Sequence, residues 1–213
     1  TGPSVWNLLT DEYFSVRRQA CISFPLTMRN ELQAAVGGDN PVLAESAAYI
    51  LAAKMDQAHF RPFISEIVAS LAEDMITLRA HAAALNGYRS GSGTLLRMVL
   101  IDQIDEYTSR TFWLLGALCG QTEAESIRRL LGSGNEVTMA NAVEALESVT
   151  SPATCRNLVN LSSSTLVDDS RTESSQESRS YNGTVAGEVI RTIWPEYENG
   201  ARQAHLSRNL RQF

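Results

Sequence analysis

The chain has 213 residues, of which 44% are hydrophobic, and its formal net charge is −6. A chain of this length can form one hydrophobic core and still carry an appendage. The acidic charge argues against a dedicated nucleic-acid-binding protein, because such a protein presents a basic face to phosphates. Three widely spaced cysteines without a CxxC pair indicate neither a disulfide framework nor a zinc site, so we expect a reducing compartment, the cytoplasm.

The first quarter of the chain has the pattern of short helices separated by turns. Apolar residues recur at spacings of three and four, which predicts helices. Asn40 followed by Pro41 is typical of a helix that begins with a capping side chain and a proline in its first turn. The predicted helices are two short ones between residues 4 and 24 with a break near Thr10, one over residues 26–36 that ends at Gly37, and one over residues 42–55.

Two long helices are predicted in the middle of the chain. The first covers residues 60–86. The second runs from Thr94, as its cap, to Gly120, and we expect it to be one long buried helix that the other helices cover. Its apolar stripe consists of Leu100, Ile104, Tyr107, Leu114, Leu115 and Leu118. Charged residues interrupt the stretch too often for a membrane span, which needs about 20 apolar residues.

Capping signals predict three further helices. Thr122 and Glu125 have the spacing of a capping box. A second helix is predicted to start at Asn135 or the next residue, and a third after Ser151, reaching to about Leu161. No segment of this region alternates between apolar and polar residues over six positions, so we predict no sheet and an all-α protein.

Composition divides the chain into three parts. Residues 1–161 form the predicted helical domain. Residues 162–183 are polar and Ser-rich, which predicts a disordered linker because such a segment cannot bury enough apolar surface to order itself. Residues 184–213 are predicted to hold a short amphipathic helix and a basic tail, which we expect either to dock on the domain or a partner, or to fray. The apolar residues of that helix are Val185, Val189, Ile190, Ile193 and Trp194, and the tail carries Arg202, Arg208 and Arg211.

Three segments resemble HEAT repeats, in which a polar turn with Asp leads into a helix carrying Val-Arg and a small residue three positions later. They cover residues 9–20, residues 39–48, where the arginine is missing, and residues 74–82. The resemblance implies that the Asp caps a helix and that the Arg pairs with the Asp of a neighbouring repeat. Asp11 with Arg17, and Asp74 with Arg79, are therefore expected to contribute structural ion pairs.

Two further segments, residues 106–116 and 140–147, resemble the soluble HEAT-type regions attached to bacterial ATP/ADP-translocase-like carriers. In the first, Glu106 and Arg110 precede a Leu-Leu-Gly run; in the second, Met139 stands just before the matching stretch, where the pattern has an arginine. The resemblance covers residues 5–161 and implies a regulatory or scaffolding module beside a membrane carrier. The expected fold is a HEAT-like solenoid of helical hairpins or a right-handed superhelix, with one long central helix.

The central helix carries one candidate site for chemistry. Asp102 and Glu106 lie four residues apart and could act as paired carboxylates in acid–base catalysis or metal binding. Helical sites of that kind use Glu-x-x-His motifs from further helices, which this chain lacks. We therefore favour a structural ion pair between Glu106 and Arg110, whose order along the helix is the stabilising one. No cofactor is expected.

A glycine-rich segment ahead of the central helix is a second candidate. Backbone amides at a helix N-terminus attract anions, so Arg89, Ser92, Gly93 and Thr94 are candidate anion-binding residues. The lysine and the preceding strand of a phosphate-binding P-loop are missing. A flexible connection is the favoured interpretation.

Two functional hypotheses follow. The first is a non-enzymatic helical interaction or regulatory module that binds a protein partner or the remainder of a larger polypeptide, close to a membrane through a fused carrier. The second is an all-α small-molecule or nucleotide sensor, or an enzyme, with a pocket between helices near Arg89, Arg97 and Arg110.

Overall fold

The computed structural model describes residues 5–55, 58–86, 91–133 and 135–163. Within these ranges the regular elements are helices and no strand occurs, which confirms the predicted all-α class. The α-helices are α1 (Val5–Leu8), α2 (Phe14–Ser23), α3 (Arg29–Val36), α4 (Pro41–Tyr49), α5 (Arg61–Ala84), α6 (Gly91–Cys119), α7 (Gln121–Leu131), α8 (Glu136–Glu147) and α9 (Pro152–Ser163). The linker was predicted for residues 162–183, but Ser162 and Ser163 form the end of α9. Residues 164–183 and the predicted segment 184–213 lie outside the described residues.

Of α2, α3 and α4, only α4 has a polar side chain that caps its first turn, whereas α2 and α3 begin without a side-chain cap. Asp11 Oδ1 accepts a hydrogen bond from the Tyr13 amide at 2.9 Å in the predicted break between α1 and α2. Asn40 Oδ1 accepts from the amides of Val42 and Leu43, both at 3.1 Å, as expected for an N-cap. The prediction for α3 was too long, because this helix begins at Arg29, three residues after the expected start.

The helix predicted over residues 42–55 changes geometry in its middle. After α4 the chain continues as a π-helical turn, Ile50–Lys54. Lys54, the only lysine in the sequence, donates from Nζ to the carbonyl oxygens of Cys21, Ile22 and Phe24 at 3.3, 2.8 and 2.9 Å. These carbonyls lie at the C-terminal end of α2, where a cation is favourable because the last carbonyls of a helix lack internal partners.

Helices α5 and α6 form a long hairpin, against which α4, α7 and α9 pack. Thr108 Oγ1 lies 3.3 Å from Met75 Sδ, and Leu100 packs with Ala82 and Leu85, so the two helices run antiparallel. The start of α6 differs from the prediction, since it begins at Gly91 and Thr94 lies inside the helix rather than at its cap.

Only the second half of α6 lies in the main core. Residues 110–117 are all buried and contact the residues of the other helices. The first half packs on the end of α5 through a separate small cluster that consists of Leu78, Ala82, Leu85, Leu96 and Leu100. The predicted single buried rod is therefore wrong for this half, which extends beyond the main core as a two-helix arm.

The last three helices close the domain. Gly120 takes φ +97°, a left-handed value that favours glycine, and it occupies the N-cap of α7 without a side-chain cap. The predicted capping box at Thr122 and Glu125 is therefore wrong. The predicted caps of α8 and α9 are confirmed: Asn135 Oδ1 accepts from the Val137 amide at 3.0 Å, and Ser151 Oγ accepts from the Thr154 amide at 3.2 Å.

Helix α9 packs against α5, with three helices between them in the chain. Repeats of a solenoid contact only their neighbours in sequence, so this contact is one that the simple repeat pattern does not contain. Among the described helices, none combines the length and the apolar character that crossing a bilayer requires.

Candidate functional site

Glu45 of α4 and Arg110 of α6 form a buried ion pair. Arg110 Nε donates to Glu45 Oε1 at 2.7 Å, and an Nη atom donates to the second carboxylate oxygen. The two residues are only 2% and 6% exposed, respectively. Burial lowers the pKa of Arg110, but attraction to Glu45 and the hydrogen bond between them raise it more, so the guanidinium keeps its charge. The two-point contact fixes the orientation of α4 against α6.

Aromatic rings continue this contact one turn further along the same two helices. The rings of Tyr49 and Trp113 stack with centroids 3.7 Å apart, and Phe14 meets Trp113 edge-on at 5.5 Å. Gln121 Nε2 donates to the Tyr49 hydroxyl at 3.0 Å and to the Trp113 carbonyl at 2.9 Å. The absence of a side chain at Gly116 makes room for this amide, since a Cβ there would overlap it.

The nucleophilic side chains beside this cluster are engaged in packing. Burial raises the pKa of the Cys21 thiol to about 12, so it stays protonated and lacks the thiolate that reactive cysteines use. Its Sγ donates to the Ser46 carbonyl at 3.8 Å, and the Ser46 hydroxyl donates to the Leu9 carbonyl at 3.0 Å. The cluster therefore has the character of a structural lock between α2, α4, α6 and α7.

The arginines predicted to form HEAT-type ion pairs make main-chain contacts. Arg17 Nη1 donates to the carbonyls of Asp11 and Glu12 at 2.7 and 3.0 Å. Arg79 Nη1 donates to the carbonyls of Asn160 and Leu161 at 3.3 and 2.8 Å, in the last turn of α9. Each arginine thus holds a turn or a helix end, and the Asp–Arg pairs implied by the resemblance stay predictions.

The spacing on α6 predicts a pair between Arg110 and Glu106, and no spacing pattern in the sequence singles out Glu45 as the partner. Glu106 does contribute to the raised pKa of Arg110, after Glu45 and Tyr107. A signal for Glu45 was present, because it is the only charged residue between Pro41 and Ala53 in an alanine-rich segment. A lone acid in such a helix indicates a buried charge with a partner.

The candidate anion-binding and pocket residues are distributed along α6. Arg89 lies outside the described residues, and Ser92, Gly93 and Thr94 occupy the first turn of the helix. Arg97 and Arg110 lie 13 positions apart on this one helix, which corresponds to roughly 20 Å along its axis. The structure therefore does not bring these two arginines into one pocket.

Two apolar and two acidic side chains lie together on the exposed side of the α6 arm. Leu95, Met98, Asp102 and Asp105 are spaced by three, four and three residues, so they lie along one face of the helix, and all four are exposed. Leu95 is 63% and Met98 55% exposed. We call these four residues the α6 face: an apolar pair near the end of the arm, followed by two carboxylates.

Asp102 and Glu106 are the carboxylates weighed above as a possible acid–base or metal pair. In the described part of the chain no group of three or more His, Cys, Asp or Glu side chains is placed to hold a metal ion. Comparison of the chain with protein-family models, with curated proteins and with solved structures gives no match. The resemblance to HEAT-type regions of nucleotide carriers therefore stays a prediction.

Proposed function

We propose that this protein is a non-enzymatic helical interaction module that binds a protein partner through the α6 face. The observation that carries the proposal is the exposure of Leu95 and Met98 on an arm outside the main core. Paired large apolar side chains on one exposed helix face are typical anchors for a partner helix.

The composition of the face indicates the chemistry of its partner. Apolar side chains would cover Leu95 and Met98, and basic side chains would lie opposite Asp102 and Asp105, because complementary charges orient a complex. A partner that fits is an amphipathic helix with an apolar stripe followed by arginines or lysines.

The buried cluster supports a scaffolding role for the rest of the domain. The ion pair between Glu45 and Arg110 and the stacked rings of Tyr49 and Trp113 hold α4 against the second half of α6. A rigid base of this kind keeps the arm in one orientation, which lowers the entropy lost when a partner binds.

The resemblance adds an expectation about context. The resemblance to HEAT-type regions implies that the module is the cytoplasmic part of a nucleotide-carrier-like membrane protein. The α5–α6 hairpin supports the helical-hairpin part of this proposal, whereas the contact between α9 and α5 argues against a simple stack of repeats.

A titration with synthetic helical peptides tests the proposal. One labelled peptide carries a leucine stripe followed by arginines, and a second has glutamates in place of the arginines. We expect the full chain to bind the first more tightly, and the double substitution Leu95→Asp and Met98→Asp to weaken that binding by about tenfold or more.

Val137→Asp supplies a matched control, since Val137 is a 74% exposed apolar residue on α8, away from the α6 face. It should bind the peptide like the unsubstituted chain. Equal affinity of the double variant and the control, or no preference for the arginine peptide, would contradict the proposal.

A further inference from the structure

The spacing of the α6 face suits pairing with a second copy of the same face. In a two-fold symmetric interface, a residue that contacts another residue of the second copy is itself repeated on the other side of the axis. An antiparallel pair of α6 helices can therefore place Leu95 opposite Met98 of the second copy and, by symmetry, Met98 opposite its Leu95. Four large apolar side chains that are exposed in the single chain then cover one another.

The same register brings complementary charges together. Asp102 lies four positions after the apolar pair, and Gly91, the first residue of α6, lies four positions before it. The antiparallel register therefore places Asp102 opposite Gly91 of the second copy, with Asp105 about three residues, or roughly 5 Å, past this helix end. A helix N-terminus carries a partial positive charge that attracts carboxylates, and glycine has no side chain to hold them away.

Charge also selects the direction of the pairing. A parallel pair would place Asp102 against Asp102 of the second copy, and Asp105 against Asp105, so that like charges would lie opposite each other across the interface. In the antiparallel register the two Asp102 residues are about 11 residues, or roughly 16 Å, apart along the axis. This separation exceeds the Debye length of about 8 Å at physiological ionic strength, so their repulsion is largely screened.

The arm is long enough for this overlap. The paired segment, residues 91–102, is roughly 17 Å long. It ends before the run of buried residues 110–117 in the main core, so the pairing ends before the main core of either copy begins. A footprint of this length and about 10 Å in width is smaller than the roughly 800 Å² per partner that stable complexes bury, so the association should be reversible.

We propose that two copies of this chain associate through their α6 faces as an antiparallel dimer with two-fold symmetry. Leu95 of each copy packs on Met98 of the other, and Asp102 of each lies at the start of the other's α6. This inference goes beyond the proposed function, because it assigns a second occupant to the same surface. The two occupants exclude each other, so self-association and partner binding compete.

Sedimentation equilibrium of the full chain tests the association over a concentration range of about 5 to 500 μM. We expect a monomer–dimer equilibrium with a dissociation constant on the order of 100 μM. Leu95→Asp combined with Met98→Asp should raise this constant by about tenfold or more. Asp102→Arg should raise it about fivefold, because it places a positive charge at the positive end of a helix. Val137→Asp, the control on α8, should leave it unaltered.

Disulfide trapping tests the direction of the pairing. Cys21 and Cys155 are buried whereas Cys119 is only partly so, and each chain therefore carries Cys119→Ser. Oxidised glutathione should link a chain with Leu95→Cys to one with Met98→Cys at least about threefold faster than it links either chain to itself, because only the mixed pair lies directly opposite and within disulfide reach.

Three results would overturn the inference. These are a chain that stays monomeric up to about 500 μM, a dissociation constant that is the same for the Leu95 and Met98 double variant as for the Val137 control, and self-linked cysteine products that form faster than the mixed one.

The arginine peptide separates this inference from the proposed function, since its addition should convert dimer to monomer. A monomeric chain whose peptide binding still depends on Leu95 and Met98 would refute the dimer alone. A chain that dimerises through these residues but does not bind the peptide would refute the proposed function alone.

Discussion

Replacing Glu45 with alanine should destabilise the domain strongly. Arg110 is 6% exposed and would lose both hydrogen bonds to the Glu45 carboxylate while its positive charge stayed buried. Breaking a buried pair from one side typically costs about 3–5 kcal/mol, whereas an exposed pair contributes about 0–1 kcal/mol. Since a domain is stable by only about 5–15 kcal/mol, we expect Glu45→Ala to remove a third or more of the free energy of unfolding.

Urea unfolding followed by far-ultraviolet circular dichroism measures this loss. The control is the double substitution Glu45→Met and Arg110→Met, which removes both charges and keeps apolar volume in the interface. We expect this variant to be within about 2 kcal/mol of the unsubstituted protein, or more stable. Together with the single substitutions Glu45→Met and Arg110→Met it completes a double-mutant cycle, which should give a large coupling energy. A cost of less than about 1 kcal/mol for Glu45→Ala would refute the assignment of the pair as a buried lock.

Three further substitutions test separate features. Gly120→Ala should lower the free energy of unfolding by about 1–2 kcal/mol, because alanine is strained at φ +97°. Urea titration measures this change, and an unchanged free energy of unfolding would contradict the conformation of this turn. Thr111→Val should leave the melting temperature unchanged or raise it, since the Thr111 hydroxyl is fully buried and has no hydrogen-bond partner within the described residues. A loss of more than about 2 kcal/mol in the free energy of unfolding would show that this hydroxyl does make a hydrogen bond. Burial raises the pKa of the Cys21 thiol from its ordinary 9.0 to about 12 in the folded chain, so the unfolded chain loses this proton first and stability falls as pH rises from about 9 towards 12. At pH 10 Cys21→Ala should recover about 1.4 kcal/mol relative to its effect at pH 7, and parallel pH profiles for the two proteins would disprove the shift.

The helix starts of this protein that depend on local chemistry could be predicted from the sequence. Asn40, Asn135 and Ser151 each cap the helix that follows, and each makes the expected bonds to amides two or three residues ahead. The prediction failed for α7, whose N-cap is Gly120 and not Thr122. A glycine with a left-handed backbone can occupy the N-cap without a capping side chain, and the residue pattern that suggested a capping box at Thr122 does not reveal this.

The contacts between distant segments could not be predicted in the same way. Arg110 has an acid four residues before it on its own helix, but its bidentate partner is Glu45, 65 residues away. Local spacing contains no information about which helix packs opposite. For the same reason the apolar periodicity of α6 suggested a fully buried rod, although the other helices cover only its second half.

Chemical-shift mapping of backbone amides during titration of the full chain with the arginine peptide tests the central claim most directly. The account predicts that the perturbed amides of the described helices lie on α6 between residues 94 and 105. Perturbations centred on another helix, such as α8 around Val137, or a spectrum that does not change at saturating peptide, would contradict the assignment of the α6 face as the binding surface.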